Sequence, residues 1–164
     1  MTVEQRRFTF FWQSKSPFSQ WHPAEFEVNG KRFACAEQYM MYGKAELFGD
    51  LEVAERILAS SSPKTQKALG RKVRGFDEKR WNQERERIVY EGNQAKFTQN
   101  AELLEKLLAT AGTELVEASP TDRIWGVGLS EEDPRIQNPA QWRGQNLLGK
   151  VLTRLREDLL AGRK

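Results

Sequence analysis

The stretch Phe26-Glu27-Val28-Asn29-Gly30-Lys31-Arg32-Phe33-Ala34-Cys35-Ala36-Glu37-Gln38-Tyr39-Met40-Met41-Tyr42-Gly43-Lys44 decides the fold. Asn29-Gly30 between alternating residues is a strong hairpin signal, because both central positions of the tight turn need positive φ. The hairpin feeds directly into a helix spanning about Cys35 to Phe48. A short β-hairpin handing over to helices points to an α+β, helix-rich fold with a small sheet.

That helix places a carboxylate and an amine on one stripe. Glu37 and Lys44 are seven residues apart, which returns within roughly 20° of the same face, with an axial separation of about 10 Å. Helical side chains lean toward the N-terminus, so the Lys44 stem reaches back toward Glu37. Two readings are open at this level. The pair shares a small-molecule site, or Glu37 merely favours the positive end of the helix dipole while Lys44 lies in water.

Working outward, Phe8 to Trp12 is β-prone and ends in the turn-rich Gln13-Ser14-Lys15-Ser16-Pro17. Downstream, Leu51 to Ala59 has a helical apolar period. Ser62-Pro63 offers a cap and a first helical residue, and Asp77 caps a long charged helix from Glu78 to Thr98 that reads as mostly solvent-facing. Asn100 to Leu108 reads as a capped core helix and Thr113 to Ala118 as a strand. Ser130 to Trp142, with Pro134 and Pro139, is a polar loop of the length often used for a lid. A last helix from about Gln145 to Ala161 aligns Leu148, Leu152, Leu155 and Leu159. No repeat, linker or low-complexity segment divides the chain, so residues 1–164 read as a single domain.

Composition narrows the function classes. The 26 basic and 23 acidic residues give a net charge of +3, a small surplus that permits nucleic-acid binding without indicating it. Cys35 is the one cysteine and His22 the one histidine, so neither an internal disulfide nor a His/Cys metal site is expected. The polar residues from Met1 to Arg7 do not resemble a leader, and no apolar run approaches a membrane span. A cytoplasmic location follows as an expectation. Five Trp, nine Phe and three Tyr imply an aromatic-rich core or cleft.

Other constellations are ambiguous taken singly. Trp125-Gly126-Val127-Gly128 joins a flat ring to glycines, either as a stacking surface with close backbone approach or as a buried Trp beside a tight turn. Arg143-Gly144-Gln145-Asn146 is a ligand-contacting loop or a helix cap, and Arg71, Lys72 and Arg74 are a phosphate clamp or a solvated face.

Taken together they resemble a family. Ser16-Pro17-Phe18-Ser19, the Asn29-Gly30 hairpin, Glu37-Gln38-Tyr39 with Lys44, Trp81, Thr121-Asp122-Arg123-Ile124-Trp125-Gly126-Val127-Gly128-Leu129 and Gly144-Gln145-Asn146-Leu147-Leu148-Gly149 resemble the NADAR or YbiA-like family, in its order and spacing, from about Phe11 to Leu159. The resemblance implies a hydrolase, an N-glycosidase cleaving the C1–N bond of a phosphoribosyl or ADP-ribosyl compound. Riboflavin biosynthesis intermediates and ADP-ribosylated guanine bases are the substrate types it implies. ADP-ribosylated nucleic acid is a further implied partner, and a membrane is not. It maps the catalytic pair onto Glu37 and Lys44 and calls for no cofactor. Some members carry Asp where Val127 stands, so a carboxylate cannot be assumed there.

The chemistry is plausible on these residues. Breaking the C1–N bond develops positive charge on the sugar, which a carboxylate such as Glu37 stabilises. A partly buried Lys44 is a competent nucleophile toward C1 and can form a Schiff base, with Glu37 as general base for its hydrolysis. Trp81 and Trp125, with Gly126, are candidate surfaces for base or ribose, and Arg71 and Asn146 candidates for phosphate or hydroxyls. A non-catalytic ADP-ribose or nucleotide-binding module is the alternative reading. A single-stranded nucleic-acid binder has weaker support, because the aromatic residues are scattered among acidic ones.

Overall fold

The computed structural model describes residues 7–162, so the polar start read as unlike a leader lies outside them up to residue 6. The described chain groups into two compact units: Gln20–Leu103, and the chain up to Ser19 together with the chain from Leu104 onward.

The first unit is built on the hairpin and the helix that follows it. Strands β2 (Phe26–Val28) and β3 (Lys31–Phe33) pair antiparallel, with Phe26 opposite Phe33. Asn29 and Gly30 turn the chain at φ 52° and 79°, as the two-residue turn demands. The Phe26 and Phe33 rings stack at 5.5 Å, and Phe33 meets Tyr39 and Tyr42 of α1 (Ala36–Leu47) at 5.1 and 5.6 Å. The outer edge of β2 is covered by one amide: Glu27 N–H donates to Gln99 Oε1 and Gln99 Nε2 donates to the Glu27 carbonyl, both at 2.8 Å.

Helix α1 is buried on most of its surface, with α2 (Leu51–Leu58), α3 (Pro63–Gly70) and α4 (Glu78–Thr98) packed against it. Close packing needs glycine at Gly92, where an added Cβ would stand 2.6 Å from the Tyr39 ring. Gln38 ties three elements together: its Oε1 accepts from Ala34 N–H, and its Nε2 donates to the Ile57 and Ser60 carbonyls at the end of α2. Ser62 caps α3 by accepting from Thr65 N–H, with Pro63 first in the helix, and Asp77 caps α4. The N-terminal half of α4 faces solvent, whereas the C-terminal half buries Ile88, Val89, Asn93, Lys96 and Phe97.

The second unit pairs β1 (Phe8–Phe11) in parallel with β4 (Glu114–Glu117). Leu115 and Val116 are both fully buried, so β4 is covered on both faces. Helix α6 (Leu147–Ala161) packs on β4. Val116, Ala118, Val127, Leu129 and Ile136 form an apolar cluster, with Phe8, Phe10 and Trp142 against it.

Two expectations change here. Helix α5 (Ala101–Leu108) contains the boundary between the units and buries only Leu107 fully, so it is not a plain core helix. The stretch from Ser130 to Trp142 is not a free lid. It forms 3₁₀ turns at Pro134–Gln137 and Pro139–Gln141, inserts Ile136 into the apolar cluster, and Trp142 Nε1 donates to the Ile136 carbonyl at 2.8 Å. Among the described residues no helix is long and apolar enough to cross a membrane.

Candidate active site

Glu37 lies in the first turn of α1 and Lys44 two turns later. The carboxylate is not a surface charge, since Glu37 is only 4% exposed. Lys44 is half-buried, and its Nζ stands 4.8 Å from the centre of the Phe76 ring and 5.7 Å from that of Trp81. Burial pushes its pKa down, the Arg71 guanidinium pushes it the same way, and the Glu37 carboxylate opposes both. Glu37, Lys44, Arg71 and Trp81 are therefore one electrostatic neighbourhood. Its amine has a weakened preference for the charged form, the property a nitrogen nucleophile requires.

The ring of Phe76 was not signalled by the sequence. It belongs to the connection between α3 and α4, where Gly75 takes φ 76°. The connection is held by Asp50, the N-cap of α2. Its carboxylate accepts from Val53 N–H, from Arg74 N–H at 2.9 Å, and from Arg74 Nε and Nη2 at 3.2 and 2.9 Å. The Arg74 hydrogen bonds hold the Asp50 carboxyl well below the usual carboxylate range.

Trp125, Gly126 and Asn146 lie in the second unit. Trp125 is half-buried and Gly126 buried. The loop carrying them is laced by backbone bonds: Arg143 N–H to the Val127 carbonyl, Gln145 to Arg123, Asn146 to Gly126, Leu147 to Ile124 and Leu148 to Trp125, at 2.9–3.1 Å. Asn146 is fully buried and left-handed, with φ 53°. Its Oδ1 accepts from Glu117 N–H at 3.0 Å and its Nδ2 donates to the Leu115 carbonyl at 3.1 Å, so its amide pairs with β4 as a strand residue would. Its side chain makes no cap bond to α6. Val127 is fully buried in the apolar cluster.

Two other features lie apart from these residues. A cavity of about 480 Å³ opens beside the hairpin, the end of α2 and Gln99-Asn100, and none of the candidate residues lines it. It presents carboxylates, amides and Arg32 without an amine nucleophile, so it does not suit the chemistry described. Lys96 is fully buried, and burial lowers its pKa to about 7. The described residues contain no cluster of His, Cys, Asp and Glu able to hold a metal ion.

A family model described as the NADAR domain matches residues 10–160. The chain is 46% identical to N-glycosidase R617 of Acanthamoeba polyphaga mimivirus, over 86% of this chain and 86% of that protein. It is 40% identical to protein irg-1 of Caenorhabditis elegans, over 93% of this chain and 79% of the relative. N-glycosidase YbiA of Escherichia coli is 34% identical over 88% of this chain and 79% of its own length. The NMR structure of E. coli YbiA matches the fold with a TM-score of 0.79 at 31% identity, covering 98% of this chain and 89% of that one.

Proposed function

Because the chain belongs to the NADAR domain family and is an N-glycosyl hydrolase, we propose that its substrate carries a nitrogenous base on ribose C1 and a phosphate elsewhere. Phosphoribosyl pyrimidine intermediates of riboflavin synthesis and ADP-ribosylated guanine both fit that chemistry. The observation that carries this reading is the half-buried Lys44 amine, set against Phe76 and Trp81 and coupled to both Glu37 and Arg71.

In the sequence we assign to these groups, the neutral Lys44 amine attacks C1. The C1–N bond breaks with its electron pair going to the base, which takes up one proton released by the attacking amine, and the other amine proton passes to the ring oxygen as ring opening yields an imine on Nζ. Water activated by Glu37 then adds to the imine carbon and releases the sugar, returning the amine. Trp81 gives a flat apolar surface for the base or sugar, and Arg71 a charge for phosphate. Trp125 and Gly126, on their loop of the second unit, keep a substrate-binding role only as what the family resemblance implies. Asn146 serves that loop indirectly, through its backbone bond to Gly126 and its amide on β4.

The test is turnover of both substrate types by the wild type, Lys44→Ala and Glu37→Gln, with borohydride added during wild-type turnover. The expected results are loss of activity in both variants and a sugar-sized mass increment on Lys44. Full activity in Lys44→Ala would end the nucleophile assignment. Active turnover with no trapped adduct would move the reaction to direct attack by water.

A further inference from the structure

The α3–α4 connection stands beside the Lys44 amine. Of its side chains, Phe76 is 45% exposed, an unusual state for a phenylalanine beside a charged amine. One edge of its packing is the Phe48 ring, at 5.4 Å and 63°. Three cations precede it within six residues: Arg71, Lys72 and Arg74. Arg74 is committed to Asp50 and Glu52, whereas Arg71 acts on the Lys44 amine. A single connection therefore brings a guanidinium and an exposed aromatic ring to the same amine.

A connection of this kind needs an anchor if it is to present its side chains in one geometry. Asp50 is that anchor. Its carboxylate is fully buried and takes one backbone and two guanidinium hydrogen bonds from Arg74, two residues before Phe76. The Gly75 turn follows at once and Asp77 starts α4, so Phe76 is held between two fixed points.

We propose that Phe76 is a substrate-contacting residue, the ring on which the departing base stacks, and that Asp50 acts through Arg74 as the positioning residue that holds it over Lys44. The inference rests on the reading of Lys44 as the reacting amine. A flat base is the ligand class that suits an exposed ring beside Trp81, since stacking uses the face of any base and does not require a particular pattern of donors and acceptors.

The experiment compares steady-state kinetics of wild type, Phe76→Ala, Phe76→Tyr, Arg74→Ala and the Phe76→Ala/Arg74→Ala double variant on an ADP-ribosylated guanine and a phosphoribosyl pyrimidine. Binding of ribose 5-phosphate, which carries no base, is measured in parallel by calorimetry. Phe76→Ala is expected to raise KM about tenfold with kcat within about threefold, the size of one lost stacking contact. Phe76→Tyr restores KM, and ribose 5-phosphate affinity does not change. Arg74→Ala, whose side chain is 70% exposed and whose folded fraction is checked by circular dichroism, raises KM less. The double variant is no worse than Phe76→Ala alone. An unchanged KM in Phe76→Ala, an equal loss of ribose 5-phosphate affinity, or additive effects in the double variant would each overturn the proposal. Lys44→Ala is the control for the premise: full activity there defeats the reading of the amine, whereas lost activity with an indifferent Phe76 defeats this inference alone.

Discussion

The neighbourhood of Lys44 and the loop around Trp125 are equally conspicuous in the sequence, but they spend their residues differently. At Lys44 the conspicuous groups are side chains of reactive type: a half-buried amine, a buried carboxylate, and rings partly open to solvent. In the Trp125–Asn146 region most of the invested groups are backbone and amide groups already bonded to one another. A motif thus marks a demanding environment, and we propose that the demand is reactive at Lys44 and architectural at Asn146. The difference can be tested by separating loss of rate from loss of stability.

The largest effect falls on rate. Lys44→Ala should lower kcat/KM by roughly a thousandfold, and Glu37→Gln by roughly a hundredfold, as expected for a lost nucleophile and a lost general base. Thermal unfolding of Lys44→Ala should be little changed, since its amine is already half-exposed to water. A large fall in melting temperature for Lys44→Ala would erase the contrast.

Asn146→Ala should show the reverse. It strands the buried Glu117 N–H and Leu115 carbonyl, costing about 2–5 kcal/mol and lowering the melting temperature by about 5–15 °C. Calorimetry and kinetics on the folded fraction would check it, with KM retained. A stable variant with a raised KM would return Asn146 to the substrate.

A smaller effect concerns the buried amine of Lys96. Its folded pKa of about 7 lies below the ordinary lysine value of 10.5. Between those values the unfolded chain holds one more proton than the folded one, so stability rises with pH across that window and is lost as pH falls toward 7. Lys96→Met should flatten this slope in denaturant titrations at pH 7 and pH 9. An unchanged slope would show that Lys96 does not set it. The smallest effect is on the pH profile: Arg71→Gln removes a charge that depresses the Lys44 pKa. The limb of kcat/KM that reports the free amine should therefore move to higher pH.

The legible parts of the molecule are those written in short-range chemistry. Asn29-Gly30, Ser62-Pro63 and Asp77 each satisfy a backbone requirement within a few residues, and each appears in the structure as read. The seven-residue interval from Glu37 to Lys44 also puts the pair on one helix, but its burial depends on α3 and α4 and is invisible in the spacing. Asp50 could be read as a helix cap, yet its partnership with Arg74 spans 24 residues and has no local signature. The segment from Ser130 to Trp142 is similar. Polar and proline-rich, it reads as loose, and one isoleucine settles it into the apolar cluster. Asn100 reads as a cap from its position before α5, whereas its amide donates to the carbonyls of Glu25 and Lys96.

The amide of Gln99 on the outer edge of β2 has a consequence for how copies of this protein behave toward one another. A three-residue hairpin strand with an open ladder edge is a template on which a second chain can add a strand. By supplying both a donor and an acceptor to Glu27, Gln99 occupies the rung that such a visitor would use. Gln99→Ala would therefore be felt first in concentrated solution, as light scattering that grows with protein concentration while each molecule keeps its fold.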